Sequence, residues 1–152
     1  ENFVTRKISG GVARIAAGDK KPIALGNLDG CRDWGYAAEY VEGMWQMLQA
    51  DIPDDFVLAT GVSTTVRDFA RAAFSAAGVP IEFTGKGVDE KGIRQDNGEV
   101  VLTVSSKFYR SVDADLLRGD ASKAKSQFGW EAKTSATELA ALMVKAELVA
   151  RD

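Results

Sequence analysis

Histidine is missing altogether from this chain of 152 residues, and cysteine occurs once. The first absence removes the commonest general base, the commonest metal ligand and the side chain that titrates near neutral pH. The second excludes a disulfide framework and a zinc site built from several thiolates. Proline is scarce at 3 residues, and with 15 glycines there is no collagen-like or low-complexity bias. No apolar run approaches the ~20 residues that a bilayer-spanning helix needs, which argues against a membrane protein. Positive charge is not in surplus either: 19 Lys and Arg against 22 Asp and Glu leave a net −3, whereas a nucleic-acid binder normally carries an excess of Lys and Arg. No signal peptide opens the chain and its first residue is Glu1, so it is expected to begin partway through a longer product. What is present, 45% hydrophobic and 27% charged residues, suits one ordinary domain or part of a larger one, long enough to bury a core without a metal or disulfide staple.

Hydrophobic periodicity predicts mixed α/β structure with short strands. Val4, Ile8, Val12 and Ile15 form one stripe of a helix from Phe3 to Ala17. Gly10 and Gly11 weaken that helix and point to a place where another backbone comes close, and Gly18 is its expected C-cap. A brief strand follows at Ile23–Leu25, then a polar loop from Gly26 to Gly35. In the second helix, Ala37 to Gln49, Tyr40, Val41, Met44, Trp45 and Leu48 share a face. Phe56–Ala59 reads as a strand. A third helix starts near Thr65 with Ser63 or Thr64 as N-cap, and Gly78 with Pro80 ends it. Ile81–Thr84 is another strand, Gly85–Gly98 a charged, glycine-rich loop, and Glu99–Val104 a strand of β-branched character. Asp120 is the expected N-cap of a short helix ending at Phe128 and Gly129. Ser135 with Glu138 makes a capping box for a last helix with an inner face of Leu139, Leu142, Met143, Ala146 and Ala150.

Catalytic constellations are largely missing. No nucleophile has a histidine partner, and the Tyr-x-x-x-Lys proton shuttle of short-chain dehydrogenases is absent. Gly85 and Gly87 make a G-x-G, but position 90 is Glu and no helix is expected after it, so this is a poor imitation of a dinucleotide fingerprint. There is no P-loop, the acidic pairs lack metal-loop spacing, and Asp54-Asp55 reads as solvated surface. Cys31 reads as a small side chain in a loop. Basic residues in polar loops beside aromatics remain. Arg32 sits between Cys31 and Asp33-Trp34, and its planar fork suits a diphosphate; a surface arginine paired with Asp33 is the alternative. Arg110 follows Lys107-Phe108-Tyr109, with Asp113 three residues on, and admits the same two readings. Asn2, Arg6 and Lys7 cluster at the start of the first helix, where amides favour anions but a solvated face is equally natural.

Together FVTRKI, LGNLDGCRDWG, DDFVLATG, GVDEKGI and LLRGDASKAKSQFGW resemble, in order and spacing, the C-terminal half of the GDP-mannose 4,6-dehydratase family, within the extended short-chain dehydrogenase/reductase superfamily of NAD(P)-binding Rossmann folds. The resemblance implies that residues 1–152 are the GDP-sugar-binding region of a larger two-part enzyme, an α/β unit of helices with short strands, the half with the Rossmann fingerprint being absent. It implies a soluble, cytoplasmic lyase, homo-oligomeric (a dimer or tetramer) at full length. That enzyme takes a hydride from C4 of GDP-D-mannose, eliminates water across C5 and C6, and returns the hydride to C6 through NADP. The product is GDP-4-dehydro-6-deoxy-D-mannose, a precursor of fucose and rhamnose. NADP and the catalytic residues would belong to the absent half, and this chain alone would be inactive.

By the same resemblance Asn2, Val4 and Lys7 lie against the nucleotide, Arg32 and Arg110 hold the diphosphate, Asp113 faces the ribose, and Arg67 is a weaker substrate-binding candidate. The chain departs from the family at Ser105-Ser106-Lys107, commonly Asp-Pro-Arg, and at Ser111 and Asp113, commonly Pro and Glu. The other readings left open are a non-catalytic nucleotide-sugar binding module and a GDP-4-dehydro-6-deoxy-mannose reductase of the same superfamily. Since the first helix and strand would pack on the missing half, apolar surface at Val12, Ile15 or Trp45 is expected to be exposed.

Overall fold

A computed structural model describes residues 3–109 and 118–150. Five helices and six strands follow in the order α1 (Val4–Ala16), β1 (Ile23–Leu25), β2 (Cys31–Arg32), α2 (Ala37–Met47), β3 (Thr64–Thr65), α3 (Val66–Ala76), β4 (Ile81–Thr84), β5 (Lys91–Arg94), β6 (Val100–Val104), α4 (Ser122–Phe128) and α5 (Ala136–Val149). The main sheet runs β1-β6-β5-β4, and β2 and β3 form a separate two-stranded ribbon. β1 lies parallel to β6 with Ile23 opposite Leu102 and Leu25 opposite Val104, while the other pairs in the main sheet are antiparallel.

The core forms where α1, α3 and α5 meet this sheet. Ile8, Val12 and Ile15 of α1, Phe69, Ala73 and Phe74 of α3, and Leu139, Ala140 and Val144 of α5 close over Ile23, Leu25, Ile81 and Leu102. Residues four apart on one helix share a face, so each stripe buries together. Gly11 allows the tightest approach: a Cβ there would stand 2.6 Å from the Ile23 side chain. The close neighbour is therefore a strand side chain and not a second backbone. Val12 and Ile15 lie inside this core, contrary to the expectation of exposure there.

Other differences have local causes. Lys91–Arg94 is a strand inside the expected loop, because Gly92 fits between Leu102 and Ile81, where a Cβ would come within 3.0 and 3.2 Å. Its glycine and charges hide an inner strand paired on both sides. Phe56–Ala59 belongs to neither sheet: a strand requires a ladder partner, and no described segment supplies one. Instead the Phe56 ring meets Phe128 edge-on at 4.9 Å. Cys31–Arg32 pairs with Thr64–Thr65, so α3 begins one residue later than expected, with the Thr65 hydroxyl accepting from the Asp68 N–H. At α4 the cap position falls on Ala121, and the Asp120 carboxylate accepts from the Ser122 N–H at 2.9 Å. The capping box at Ser135 and Glu138 is present. On α5 the inner stripe is Leu139, Ala140 and Val144, and Leu142 is exposed.

On α2 the expected exposure of Trp45 is met. The helix's apolar stripe faces outward, with Trp45 61% and Leu48 82% exposed and Val41 and Met44 also open. Gly43 is buried instead, where a Cβ would lie 2.7 Å from Trp130 Nε1 and 2.9 Å from Leu58. The Trp130 indole donates to the Glu39 carbonyl, and the Glu39 carboxylate accepts from Thr134. No helix among the described residues is long and apolar enough to cross a membrane.

Candidate functional site

Parallel strands direct the loops at their C-terminal ends to the same edge of a sheet, where α/β folds gather their ligands. β1 and β6 are such a pair, and the Ser105 N–H donates to the Leu25 carbonyl at 2.8 Å as both strands end. The chain then leaves through Gly26 on one side and Ser105–Tyr109 on the other. These loops touch so closely that a Cβ on Gly26 would stand 2.3 Å from the Phe108 carbonyl oxygen. Any side chain at position 26 would push the two apart.

α1 runs back across the sheet, with Gly11 over Ile23 and its first turn over this edge. Lys7 consequently reaches the second loop, its Nζ 3.8 Å from the centre of the Phe108 ring. Lys107 brings a second ammonium, 5.9 Å from the same ring. Burial first, and the like charge of Lys107 second, hold Lys7 below the ordinary lysine value. Among the described residues no carboxylate forms an ion pair with either lysine. Val4 is half-buried and packs against the core.

Arg32 occupies β2 opposite Thr64, and its Nη1 donates to the Cys31 carbonyl at 2.6 Å. The next residue anchors the loop. One Asp33 oxygen accepts from the backbone N–H and hydroxyl of Thr60, and the other from the Gly61 N–H. Both oxygens of that carboxylate are thus engaged 27 and 28 residues away, and Gly61 takes a positive φ of 72° to present its N–H.

Arg67 is bound by two acids. Its Nε and Nη2 meet the Glu90 carboxylate at 2.7 and 2.8 Å, and its Nη1 meets Asp29. Glu90 is only 5% exposed, and the two hydrogen-bonded carboxylates raise the arginine further above its already high value. The Glu90 carbonyl accepts from the Val104 N–H, so this network braces the same edge of the sheet. Asn2, Arg110 and Asp113 lie outside the described residues. Sequence reasoning passed over Phe108, Lys107, Glu90 and Asp29 as functional neighbours. The signal for Glu90 was its place in GVDEKGI; Asp29 carried none beyond its loop.

A separate cavity of about 500 Å³ opens beyond the Asp33-anchored turn, between Thr60, Gly61, Arg118, Asp120, Ser122 and Lys125. Lys125 is paired with Glu131. No group of three or more acidic or cysteine side chains is arranged to hold a metal among the described residues. The G-x-G at Gly85 and Gly87 runs into a single 3₁₀ turn, Gly87–Asp89, and then into β5. It does not open a helix as a pyrophosphate cradle must, so a dinucleotide cofactor does not fit there.

A family model described as GDP-mannose 4,6 dehydratase matches residues 1–143. The GDP-mannose 4,6-dehydratase of Sinorhizobium fredii (strain HH103) is 49% identical over 148 residues, covering 97% of this chain and 42% of the relative. The Drosophila melanogaster enzyme is 47% identical, with 97% and 38% covered, and the Homo sapiens enzyme 46% identical, with 97% and 40% covered. The chain therefore spans about two fifths of the length of these relatives. Among solved structures, RMD from Pseudomonas aeruginosa complexed with NADPH superposes with a TM-score of 0.76 at 13% identity, over 97% of this chain and 43% of that one. UDP-glucose 4-epimerase from Bifidobacterium longum, in complex with NAD+ and UDP, gives 0.63 at 20% identity over 95% and 39%. At these identities the two structures speak for the fold alone: an α/β unit that matches part of each longer chain.

Proposed function

The chain belongs to the GDP-mannose 4,6-dehydratase family, and from that premise we propose that residues 1–152 form the GDP-sugar-binding region of a two-part, NADP-dependent lyase. The whole enzyme converts GDP-D-mannose to GDP-4-dehydro-6-deoxy-D-mannose. It works as a cytoplasmic homo-oligomer, and this region alone is inactive. On this reading cofactor binding and the hydride steps belong to the rest of the polypeptide, and this chain's part is to hold the nucleotide end of the substrate.

The observation that carries the reading is the convergence of Lys7 and the 105–109 loop at the shared end of β1 and β6. That loop leads directly in sequence to Arg110 and Asp113. On this reading Asn2, Val4 and Lys7 lie along the nucleotide, Arg32 and Arg110 grip the diphosphate, and Asp113 takes the ribose hydroxyls. Arg67, its guanidinium engaged by Glu90 and Asp29, acts on substrate through the loop it braces. The outward stripe of α2 supports the two-part architecture, since an apolar helix face of that size is normally covered. The names of the relatives favour the dehydratase over the reductase or a stand-alone binding module.

The test is steady-state kinetics of the full-length protein on GDP-mannose with NADP. Formation of the 4-dehydro-6-deoxy product is expected. The diphosphate is remote from C4–C6, so Arg32→Ala raises KM about tenfold or more while changing kcat much less. Absence of turnover on GDP-mannose would remove the activity, and an unchanged KM would remove the phosphate role of Arg32.

A further inference from the structure

We propose that Phe108 is the stacking platform for the nucleobase of the bound nucleotide, with Lys7 seated on one ring face and the other left for the base. The inference rests on the nucleotide-binding reading above and adds a subsite to it.

Three observations lead there. The ring is 45% exposed, although a phenylalanine kept for packing is normally buried. Its backbone is nevertheless held firmly: the Phe108 and Tyr109 N–H groups both donate to the Ser105 carbonyl at 3.0 Å, and Ser105 is tied to Leu25. The Phe108 carbonyl rests against Gly26, the position with no room for a Cβ. An exposed aromatic ring on a fixed backbone loses little freedom when a flat ligand settles on it.

The third observation is electrostatic. Lys7 Nζ stands 3.8 Å from the ring centre, in cation–π contact. That contact draws electron density toward the lysine and leaves the opposite face better matched to an electron-rich purine. Lys107, 5.9 Å from the ring, adds a second positive charge beside it. Two like charges at one ring repel each other in the empty protein, and an anion attached to the stacked base relieves that repulsion. A base on Phe108 therefore places its own phosphates where the local charge is positive. A nucleoside diphosphate has both parts; inorganic pyrophosphate has only the second.

That difference supplies the test. GDP and inorganic pyrophosphate are titrated calorimetrically into the full-length protein and into its Phe108→Ala, Phe108→Leu and Phe108→Trp variants. Loss of a stacking face weakens GDP binding about tenfold in the Ala and Leu variants. The Trp variant retains wild-type affinity or better, and pyrophosphate affinity changes less than twofold throughout. The Leu variant keeps apolar bulk without a π face, so it reports on stacking even if the Ala variant folds poorly. Unchanged GDP affinity in the Leu variant, or equal loss for GDP and pyrophosphate, overturns the assignment. If GDP still binds in those cases and Arg32→Ala weakens it, the nucleotide-binding reading survives alone. If wild-type protein binds no GDP, both fall.

Discussion

Glu90 and Lys7 show how single side chains at this edge of the sheet trade stability against use. Glu90 is almost fully buried and gives both oxygens to Arg67. Glu90→Ala leaves that guanidinium with Asp29 alone, a carboxylate that is 70% exposed. Breaking a buried pair from one side is expensive, and with the Arg67 side chain 22% exposed some of the loss is screened. The expected cost is about 2–3 kcal/mol in denaturant unfolding. Lys7 works in the opposite sense. The folded protein holds its ammonium below the unfolded value of 10.5, so between those two values the unfolded chain binds more protons. Stability contributed by this group then rises with pH through the alkaline window. Lys7→Met should abolish that rise in thermal melts recorded from neutral pH to pH 10, while weakening GDP binding. A steeper rise in the variant would contradict the sign.

At the scale of whole elements, α2 has one face on Trp130, Leu58 and Thr134 and the other open. Trp45→Gln with Leu48→Gln should leave the stability of the 152-residue chain within about 0.5 kcal/mol and reduce its aggregation in light scattering. If the rest of the proposed two-part enzyme covers the stripe, the same pair in the full-length protein should lower Tm by several degrees. Equal behaviour in both would mean that the face meets nothing. α2 also shows how far sequence carries the fold. Period and composition identified α1, α2, α3 and α5 to within a residue or two, because an amphipathic stripe, a capping box and terminal glycines are local signals. They could not say which side of a stripe would find a partner, since that depends on chain elsewhere. α5 is apolar nearly all round, so its inner face was ambiguous and shifted from Leu142 to Ala140 and Val144. β5 was hidden because glycine and charge are loop signals until a tight inter-strand gap requires them. Phe56–Ala59 has strand composition and no described partner, the reverse failure.

As a whole molecule the chain offers little to a ligand beyond its basic edge. Charge-assisted hydrogen bonds from two arginines, at ~1.5–3 kcal/mol each, are opposed by lost translational freedom and loop ordering. The isolated 152-residue chain should therefore bind GDP at high micromolar concentration or more weakly, and nanomolar calorimetric affinity would refute this. Lys7, Arg32 and Arg67 were singled out from the sequence, while Lys107 was not. The bracing of the site was not legible, since Asp33 acts 27 residues away on Thr60 and Arg67 acts 23 residues away on Glu90, and nothing local announces such pairs. The parallel pairing of Ile23–Leu25 with Leu102–Val104, under an α1 that is itself covered by α5, has a consequence for synthesis on the ribosome. The first strand must wait unpaired until β6 emerges, and the first helix stays partly unroofed until α5, more than a hundred residues further on, has followed. Folding is then governed by that late, long-range closure, and a nascent chain halted before α5 will present Ile8 and Val12 to chaperones.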